Sequence, residues 1–480
     1  MSALGEVAMK PCSQLVADHD VVGSSTERPQ SGPMGLHRPP TVSTKPTRPL
    51  VEGSATAHAL HSVWSGEIAT VVNAPPGSGK SELLADVVKH LADRAGIEKI
   101  VVATPTRSQA VSIAERIAER TDRPVLLSMS NPSTRPVGVV CRGDGDEAGL
   151  IDPIVVSTLA SCAAKKQGPD VLIVEEAYQA TFADVANAAE GAKQILLVGD
   201  PGQIGPVVVS ETSLYGDVGP HSRAPEVFVT RPDAHRFQID VTWRLGPRTV
   251  EVIGGLYDFE FTSVRPARSV EGFDGELGEI RCVNVASIRP EELGAERATL
   301  DRLAHVADLA EQYVGRLYRE STPLGTTVRQ LDQGDVAVVL ARNAEVSTVS
   351  SILAARGLER ITVATADKIQ GGQWPAVVSL DPMCEILVDP PADAPADFSR
   401  APSQHALSLG RLCVMLSRHM GHLTWVHDDA WPEKLLMLPE GEERARGEAV
   451  RRNLCGAGSE LAASTHVPAE DAVLAGRLDP

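Results

Sequence analysis

The sequence predicts an α/β protein with two successive domains, each built on a parallel sheet. Between about residues 55 and 235, short aliphatic runs alternate with amphipathic helical patterns, and a second such set extends from 236 to 430. Alternation of this kind is typical of parallel sheets, because parallel strands need a crossover connection that is usually a helix. The length of 480 residues also exceeds what one compact domain usually holds. We therefore expect one domain at 55–235 and another at 236–430.

The first domain contains predicted strands that are short, continuous apolar runs, as expected of strands buried on both faces. They are IATVVNA, KIVVATPT, PIVVST, VLIVEE and QILLVGD. Two segments, SELLADVVKHLADRAG and QAVSIAERIAER, have helical periodicity, and Gly96 is a suitable end for the first of them. These elements alternate along the chain, which predicts a sheet with helices packed against it.

The second domain repeats this pattern with different lengths. Its predicted strands are DVAVVLA, RITVATA and WPAVVSL, and EVSTVSSILAARG is a predicted helix. A longer amphipathic pattern predicts one helix over 297–319. A loop rich in Pro, Ala and Asp is expected at 389–402. Residues 1–54 are rich in Pro, Ser, Thr and Gly and are expected to be disordered, and 431–480 is expected to be a C-terminal tail with at most one helix.

Composition excludes several classes of protein. The net charge of −18 argues against a broad, non-specific polyanion binder, although it allows a narrow basic groove. Apolar stretches stay well short of the roughly 20 residues that span a bilayer, and the start, MSALGEVAMKPCSQ, lacks the features of a secretory signal. The seven cysteines form no CxxC pair, so the spacing suggests neither a zinc site nor a disulfide framework. We expect a cytoplasmic protein without membrane contact.

A glycine-rich segment, NAPPGSGKS (residues 73–81), lies between a predicted strand and a predicted helix. Backbone N–H groups in such a turn surround a phosphate, and the helix N-terminus adds partial positive charge. Lys80 can reach the terminal phosphates and the Ser81 hydroxyl can bind Mg²⁺. The sequence therefore predicts a P-loop for ATP, although Ala74 stands where the full pattern has Gly. The predicted nucleotide ligands here are Gly77, Ser78, Gly79, Lys80 and Ser81.

Two adjacent acids, Glu175 and Glu176, end the apolar run VLIV. Alone, such a pair is most often a solvated strand end. After a P-loop, however, acids at the end of a neighbouring strand are needed to hold Mg²⁺ and to polarise the attacking water. We predict that Glu175 is a metal ligand, with Ser81, and that Glu176 is the general base.

Eight segments, in order, resemble the motifs of the superfamily 1 helicases. They are PPGSGKS, TPTRSQA, VVSTLAS, VEEAYQ, LVGDPGQIGPV, VTWRLGP, VATADKIQGGQW and LCVMLSRH. The set looks nearest the branch with the RecD-like and nonsense-mediated-decay-type helicases. This resemblance implies two RecA-like domains, ATP and Mg²⁺ in the cleft between them, and single-stranded nucleic acid across the top. The implied activity is an ATPase that drives translocation on DNA or RNA, with DNA favoured, and a monomer is favoured.

The resemblance also implies roles for individual residues. Gln203 would sense the γ-phosphate, Arg244 and Arg418 would stabilise transition-state charge, and Gln370 and Gly371 would contact the nucleotide. The implied nucleic-acid ligands are Thr106, Thr158 and Thr365. The sequence departs from the family pattern at four positions, which are Ala74 for Gly, Glu175 for Asp, Gln373 for Glu and Trp243 for Tyr.

Simpler interpretations stay open for several of these residues. Arg244 and Arg418 can be solvated surface arginines, Arg418 following an apolar strand, and the threonines can be ordinary strand residues. For Trp243 and Trp374 core packing is favoured over base stacking, and His419 is expected to be structural. The alternative function is a nucleotide-binding switch or interaction protein with weak or no hydrolysis, in which the N-terminal segment can bind a protein partner.

Overall fold

The computed structural model describes residues 50–456, except 95, 130, 133, 209–210, 216–217, 273–274, 286–294, 323 and 387–404. Most of the segment predicted as disordered (1–54), the loop predicted at 389–402 and the end of the predicted tail, from 457, lie outside the described residues.

The strands, numbered in chain order, are β1 Ala69–Asn73, β2 Ile100–Thr104, β3 Val125–Leu127, β4 Val140–Cys141, β5 Ile154–Thr158, β6 Val171–Glu175, β7 Gln194–Gly199, β8 Ala234–Gln238, β9 Val241–Thr242, β10 Thr262–Ser263, β11 Ala267–Val270, β12 Ile280–Asn284, β13 Leu317–Thr322, β14 Gly325–Gln330, β15 Val336–Leu340, β16 Thr362–Thr365, β17 Trp374–Leu380 and β18 His419–His427.

The α-helices are α1 Ala55–Ser65, α2 Lys80–Ala92, α3 Arg107–Ala118, α4 Leu159–Lys165, α5 Phe182–Ala188, α6 Ala224–Phe228, α7 Pro247–Ile253, α8 Ala295–Glu311, α9 Asn343–Ala355, α10 Ala366–Ile369, α11 Leu409–Leu416, α12 Trp431–Leu436 and α13 Glu442–Gly456. Within the described ranges, none of the helices combines the length and the apolar character that a bilayer crossing requires.

The first sheet has eight parallel strands in the order β4-β3-β5-β2-β6-β7-β1-β8. Its central strands are buried along their whole length, which explains their continuous apolar sequences. We call the residues of this sheet and its helices, 55–238, the N-terminal lobe. Register aligns Asn73 with Gly199 and Glu175 with Val198. The P-loop, the paired acids and the GDPGQ segment therefore leave the sheet at one edge.

The second sheet has five parallel strands in the order β12-β18-β17-β15-β16. Together the two sheets confirm the predicted fold class. We call the residues from 239 to 456 the C-terminal lobe. This lobe also holds a small antiparallel sheet, β11-β13-β14.

The helix predicted over 297–319 is too long, since α8 ends at Glu311. Gly315 takes a left-handed conformation with φ of 84°, which turns the chain, and its N–H bonds the Leu331 carbonyl at 2.8 Å. Beyond the turn, Leu317–Thr322 is the central strand of the small sheet and pairs antiparallel with both β11 and β14. The apolar spacing in this segment therefore belongs to a strand.

The apolar strand expected before Arg418 is a helix, α11, capped by the Ser408 hydroxyl, which accepts from the Arg411 N–H. A short continuous apolar run does not by itself distinguish a buried strand from a buried helix. The following strand, β18, begins only at His419. Arg418 therefore lies in the turn between a helix and a strand.

Helices α12 and α13 pack against the C-terminal lobe. The Arg451 guanidinium, 1% exposed, donates to both carboxylate oxygens of Asp381 at 2.8 and 2.9 Å. Asp381 directly follows the central strand β17, so this bidentate pair joins the helix to the centre of the sheet. Arg446 adds a hydrogen bond to the Gly255 carbonyl at 3.1 Å. The expectation of at most one helix in the segment from 431 is therefore wrong, because both α12 and α13 form there.

A second buried carboxylate, Glu279, holds the start of α7. It accepts from the backbone N–H groups of Arg248 and Thr249 at 3.2 and 3.0 Å, from the Thr249 hydroxyl, and pairs with Arg265 at 3.4 Å. A carboxylate at a helix N-terminus satisfies otherwise unpaired donors and complements the helix dipole. Burial acts to raise its pKa, but the contacts with His419 and Thr249 and the charge of Arg265 outweigh burial and lower the pKa of Glu279 to about 2.

We predict that Arg451→Ala lowers the free energy of unfolding by about 3–5 kcal/mol, because it leaves the buried Asp381 carboxylate without its partner. Urea unfolding of the full chain measures the change. The control is Arg452→Ala, which removes a pair with Glu448 whose arginine is 71% exposed, and little change is expected there. Equal losses in the two variants would contradict the prediction.

We predict that Glu279→Gln destabilises the fold at neutral pH and less so in acid. The drop in pKa from 4.5 to about 2 corresponds to about 3 kcal/mol. Because the folded state binds this proton less tightly, the stabilisation is full above pH 4.5 and disappears as the pH falls towards 2. Urea midpoints of wild type and variant should therefore converge over that window. Glu251→Gln, at a site 64% exposed, is the control. A difference in urea midpoint between wild type and Glu279→Gln that stays the same at every pH would contradict the prediction.

Candidate nucleotide-binding cleft

A cleft of about 570 Å³ lies between the carboxyl edge of the first sheet and the loops of the C-terminal lobe. Both lobes contribute to its lining, which comprises Gly77, Gly79, Lys80, Ser81, Glu82, Gln109, Ser112, Arg116, Glu175, Glu176, Gln203, Trp243, Arg244, Arg268, Gly371, Gly372, Gln373, Arg418 and Met420. The predicted P-loop, paired acids and arginines thus meet in one place.

The P-loop segment forms a turn that opens towards the cleft. Gly77 and Gly79 have positive φ angles of 73° and 86°, which side chains disfavour, and α2 begins directly at Lys80. The Lys80 ammonium lies 3.5 Å from the Ala74 carbonyl and 3.9 Å from Asp200. The buried Ser78 hydroxyl has no hydrogen-bond partner in the described part of the chain. This loosely held ammonium at a helix N-terminus suits a phosphate ligand.

The paired acids occupy different environments. Ser81 Oγ donates to Glu175 Oε1 at 2.5 Å, and Glu175 is only 5% exposed. Burial, with repulsion from Glu176, raises the pKa of Glu175 to about 7, against the opposing effect of the Ser81 hydrogen bond. The hydroxyl and carboxylate oxygens are ligands that Mg²⁺ prefers, and a cation between them would relieve the repulsion. The predicted metal ligands therefore fit a divalent cation.

Glu176 holds a strained backbone conformation, with φ of 53° and ψ of 43° immediately after β6. Such left-handed geometry is uncommon for a residue with a side chain and tends to occur at functional sites. It turns the chain out of the strand and leaves Glu176 in the lining of the cleft. Glu176 therefore lines the same cleft as Lys80, Arg244 and Arg418.

A third acid, Asp200, was not among the predicted site residues. It is 1% exposed and accepts hydrogen bonds from Gln203 Nε2 at 2.7 Å and from the Tyr257 hydroxyl at 3.0 Å. Burial raises its pKa, although the charge of Lys80 acts against that effect. The signal was present in the sequence, since Asp200 follows the apolar run ILLVG as Glu175 ends VLIV.

The two arginines of the C-terminal lobe lie together in the cleft. Burial, with repulsion from Arg418, lowers the pKa of Arg244 to about 9, and burial also lowers the pKa of Arg418. The Nε atom of each is buried without a hydrogen-bond partner among the described residues. Arg418 is 1% exposed, so its interpretation as a solvated surface arginine is wrong. Two adjacent, under-paired guanidinium groups suit a polyanionic ligand.

The lobes also contact each other directly beside the P-loop. The Trp243 N–H donates to the Gly77 carbonyl at 2.9 Å, and the Thr242 hydroxyl donates to the Pro76 carbonyl at 2.7 Å. A Cβ atom at Gly77 would lie 2.2 Å from the Arg244 Cβ, so only glycine allows this approach. Across the cleft, Gln370 Nε2 donates to Gln203 Oε1 at 2.9 Å, while Gly371 lines the cleft.

The three predicted nucleic-acid ligands lie elsewhere and begin helices. Thr106 forms a capping box with Gln109 at the start of α3, a pattern that the sequence TRSQ could have revealed. Thr158 ends β5 and caps α4, where its hydroxyl accepts from the Ser161 N–H at 3.4 Å. Thr365 ends β16 and is 6% exposed. These positions lie at or just after the carboxyl ends of parallel β-strands. They are compatible with binding of single-stranded nucleic acid outside the nucleotide cleft.

The two tryptophans differ in environment. Trp374 is half-buried and packs against the core of the C-terminal lobe, as expected. For Trp243 the expectation of core packing is wrong, because its side chain is 57% exposed at the cleft. His419 is completely buried and contacts Thr249 at 2.9 Å, which agrees with a structural role.

Comparison with known proteins gives a family match in the N-terminal lobe. Residues 54–226 match a family described as an AAA domain. No curated protein matches the chain.

The solved structures that match the chain include those of viral helicases. The PRRSV helicase has 14% sequence identity and a TM-score of 0.39, over 77% of this chain and 54% of that chain. The arterivirus nonstructural protein 10 helicase has 15% sequence identity and a TM-score of 0.41, over 80% of this chain and 65% of that chain. The structure of this helicase in complex with DNA has 15% sequence identity and a TM-score of 0.40, over 77% of this chain and 63% of that chain. The chain thus spans between 54% and 65% of the length of these helicases.

The family match covers the P-loop, the paired acids and the GDPGQ segment, and the ordered motifs continue beyond it into the second sheet. The N-terminal lobe is therefore similar to an AAA domain over residues 54–226.

Proposed function

We propose that the protein is an ATP-dependent translocase or helicase that moves along single-stranded DNA or RNA, with DNA favoured. The observation that carries this proposal is a cleft in which Lys80 and Glu176 of the N-terminal lobe face Arg244 and Arg418 of the C-terminal lobe. Because both lobes supply groups for hydrolysis, ATP turnover depends on the approach of the two lobes. Closure and opening of the cleft would thereby be coupled to movement of the protein along the single strand. The proposed domains are 55–235 and 236–430, both RecA-like.

In this proposal the P-loop amides and Lys80 bind the phosphates of ATP. Ser81 and Glu175 would hold Mg²⁺, which would supply positive charge against the phosphates. Glu176 takes a proton from water as the water oxygen bonds to the γ-phosphorus and the bond to the ADP oxygen breaks. Gln203 orients that water.

Arg244 and Arg418 have a separate role in this scheme. Their guanidinium groups stabilise the negative charge that builds up on the transferring phosphoryl group and on the ADP oxygen. Both groups are held in a desolvated setting, where the interaction with a developing anion is stronger than in water. Gln370 and Gly371 would complete the nucleotide contacts.

Nucleic acid is proposed to bind at the strand ends that carry Thr106, Thr158 and Thr365. The threonine hydroxyls would donate hydrogen bonds to backbone phosphates, and such contacts position a strand without reading its sequence. Local contacts of this kind are compatible with a net charge of −18.

The test is ATP turnover by the purified full chain with no nucleic acid, single-stranded DNA, single-stranded RNA or blunt duplex. We expect stimulation by a single strand. Glu176→Gln should lower turnover by roughly 100-fold or more, because it removes the base while retaining the shape of the side chain. The control is Glu190→Gln, at a site 58% exposed in the same lobe.

A nucleotide-binding switch with weak or no hydrolysis is the second candidate. It is favoured by the Glu175–Ser81 hydrogen bond, which engages the hydroxyl predicted to hold Mg²⁺. Nucleotide binding without phosphate release, identical in wild type and Glu176→Gln, would support the switch and reject the motor.

Trp243 is proposed to stack on the nucleotide base. Its ring is exposed in the cleft, while its backbone is fixed by the bonds of its N–H to Gly77 and of its carbonyl to Arg268. An aromatic ring can stack on any nucleotide base, because every base has a π face.

We predict that Trp243→Ala raises the KM for ATP roughly fivefold or more, with little change in kcat, since one stacking contact contributes about 1–3 kcal/mol. Trp243→Phe keeps an aromatic ring and should restore most of the affinity. Steady-state kinetics at saturating single-stranded DNA measure both. An unchanged KM with weakened DNA binding would place Trp243 on the nucleic-acid path instead.

A further inference from the structure

Two cysteines and a histidine that are far apart in sequence meet at the edge of the second sheet. One ligand atom from each of Cys282, His427 and Cys455 can be chosen so that all three lie within 4.8 Å of one another. Cys282 lies on the outer strand β12, His427 ends the neighbouring strand β18, and Cys455 lies in the last turn of α13. The scattered cysteine spacing in the sequence gave no sign of this group.

Sheet geometry explains why two of these side chains face the same way. Cys282 is paired with Trp425, and Asn284 is paired with His427. Residues two apart on a strand project from the same face, so Cys282 and His427 both face the helix that covers the sheet. Cys282 Sγ lies 3.4 Å from the Leu454 carbonyl, which places it against the end of α13.

One ring nitrogen of His427 has no partner among the described residues, although the ring also hydrogen-bonds the Cys455 thiol. His427 is 7% exposed, and its Nδ1 atom is buried without a hydrogen-bond partner in the described ranges. A buried imidazole nitrogen normally has a partner, and leaving one unpaired costs free energy. Both cysteines are half-buried, so the group is neither sealed in the core nor fully open to solvent.

We propose that Cys282, His427 and Cys455 bind a thiophilic divalent cation, with zinc as the ion expected. Thiolate and imidazole ligands are those that zinc prefers, and bonds of about 2.0–2.3 Å at tetrahedral angles set the ligand atoms roughly 3.4–3.8 Å apart. The observed spacing needs only small side-chain rotations to reach that geometry. Water or a small anion takes the fourth position.

The site joins three elements that are far apart in the sequence and are not linked by a direct chain connection at this point. It links the outermost strand of the sheet, the neighbouring β18 and the end of α13. Arg451 ties the middle of this helix to Asp381, and the metal fixes its final turn. The ion therefore has a structural role in the C-terminal lobe, away from the nucleotide cleft.

The experiment uses the full chain, freed of any polyhistidine tag and purified without chelators under reducing conditions. Zinc content is measured by mass spectrometry of the metal, and affinity by competition with a chromophoric chelator. Wild type should retain one zinc per chain. Cys455→Ser and Cys282→Ser should bind it at least 10- to 100-fold more weakly, a loss that even indirect partners of zinc ligands can cause. Cys162→Ser, which alters a buried thiol in the N-terminal lobe, is the matched control and should bind like wild type.

Cobalt provides a readout that does not need a variant to fold. Co²⁺ bound by wild type should show a thiolate-to-cobalt charge-transfer band, and zinc should displace it. Three results would each overturn the proposal. They are reduced wild type that binds neither ion, zinc affinity that is the same in Cys455→Ser and Cys162→Ser, and a Cys282–Cys455 disulfide that forms while added zinc stays unbound.

Discussion

The buried carboxylate of Asp200 connects the parts of the nucleotide cleft. Through Lys80 it reaches the P-loop, through Gln203 the GDPGQ segment, and through the Tyr257 hydroxyl the C-terminal lobe. A buried charge is tolerated only when its partners stay in place, so each partner is held by the cost of leaving this acid unsatisfied. Tyr257 also contacts Cys413 of α11, the helix that precedes Arg418. One acid thus links the P-loop to the segment that carries an arginine of the other lobe.

A comparable arrangement positions Arg244. This residue stands a few positions before α7, and Glu279 holds the first turn of that helix. Glu279 also contacts His419, the neighbour of Arg418. The loops that carry the two arginines therefore share one buried anchor, and their spacing is a property of the C-terminal lobe itself. The hydrolysis proposed above, which depends on approach of the lobes, would need this rigidity, because both arginines would have to reach the phosphates together.

The sequence predicted what is local. The strand–loop–helix around Lys80 and the acids after β6 were identified because each signal lies within a few residues, and parallel pairing brings such strand ends to one edge. Glu279 and Arg451 gave no comparable signal, because their partners lie 30 and 70 residues away. The run before Arg418 was misread since an apolar segment of that length fits either a strand or a helix. Trp243 was misplaced because residue type alone does not report exposure at a cleft.

Gly77 gives the P-loop a constraint that has nothing to do with phosphate. Its missing side chain leaves the space into which the Cβ and Cα of Arg244 pack. Substitution at residue 77 is therefore limited by two requirements, because a side chain that still permitted nucleotide binding would displace Arg244. Residues 77 and 244 therefore constrain each other across the two lobes. A change in the backbone position of one requires a matching change in the other, both in engineered variants and in evolution.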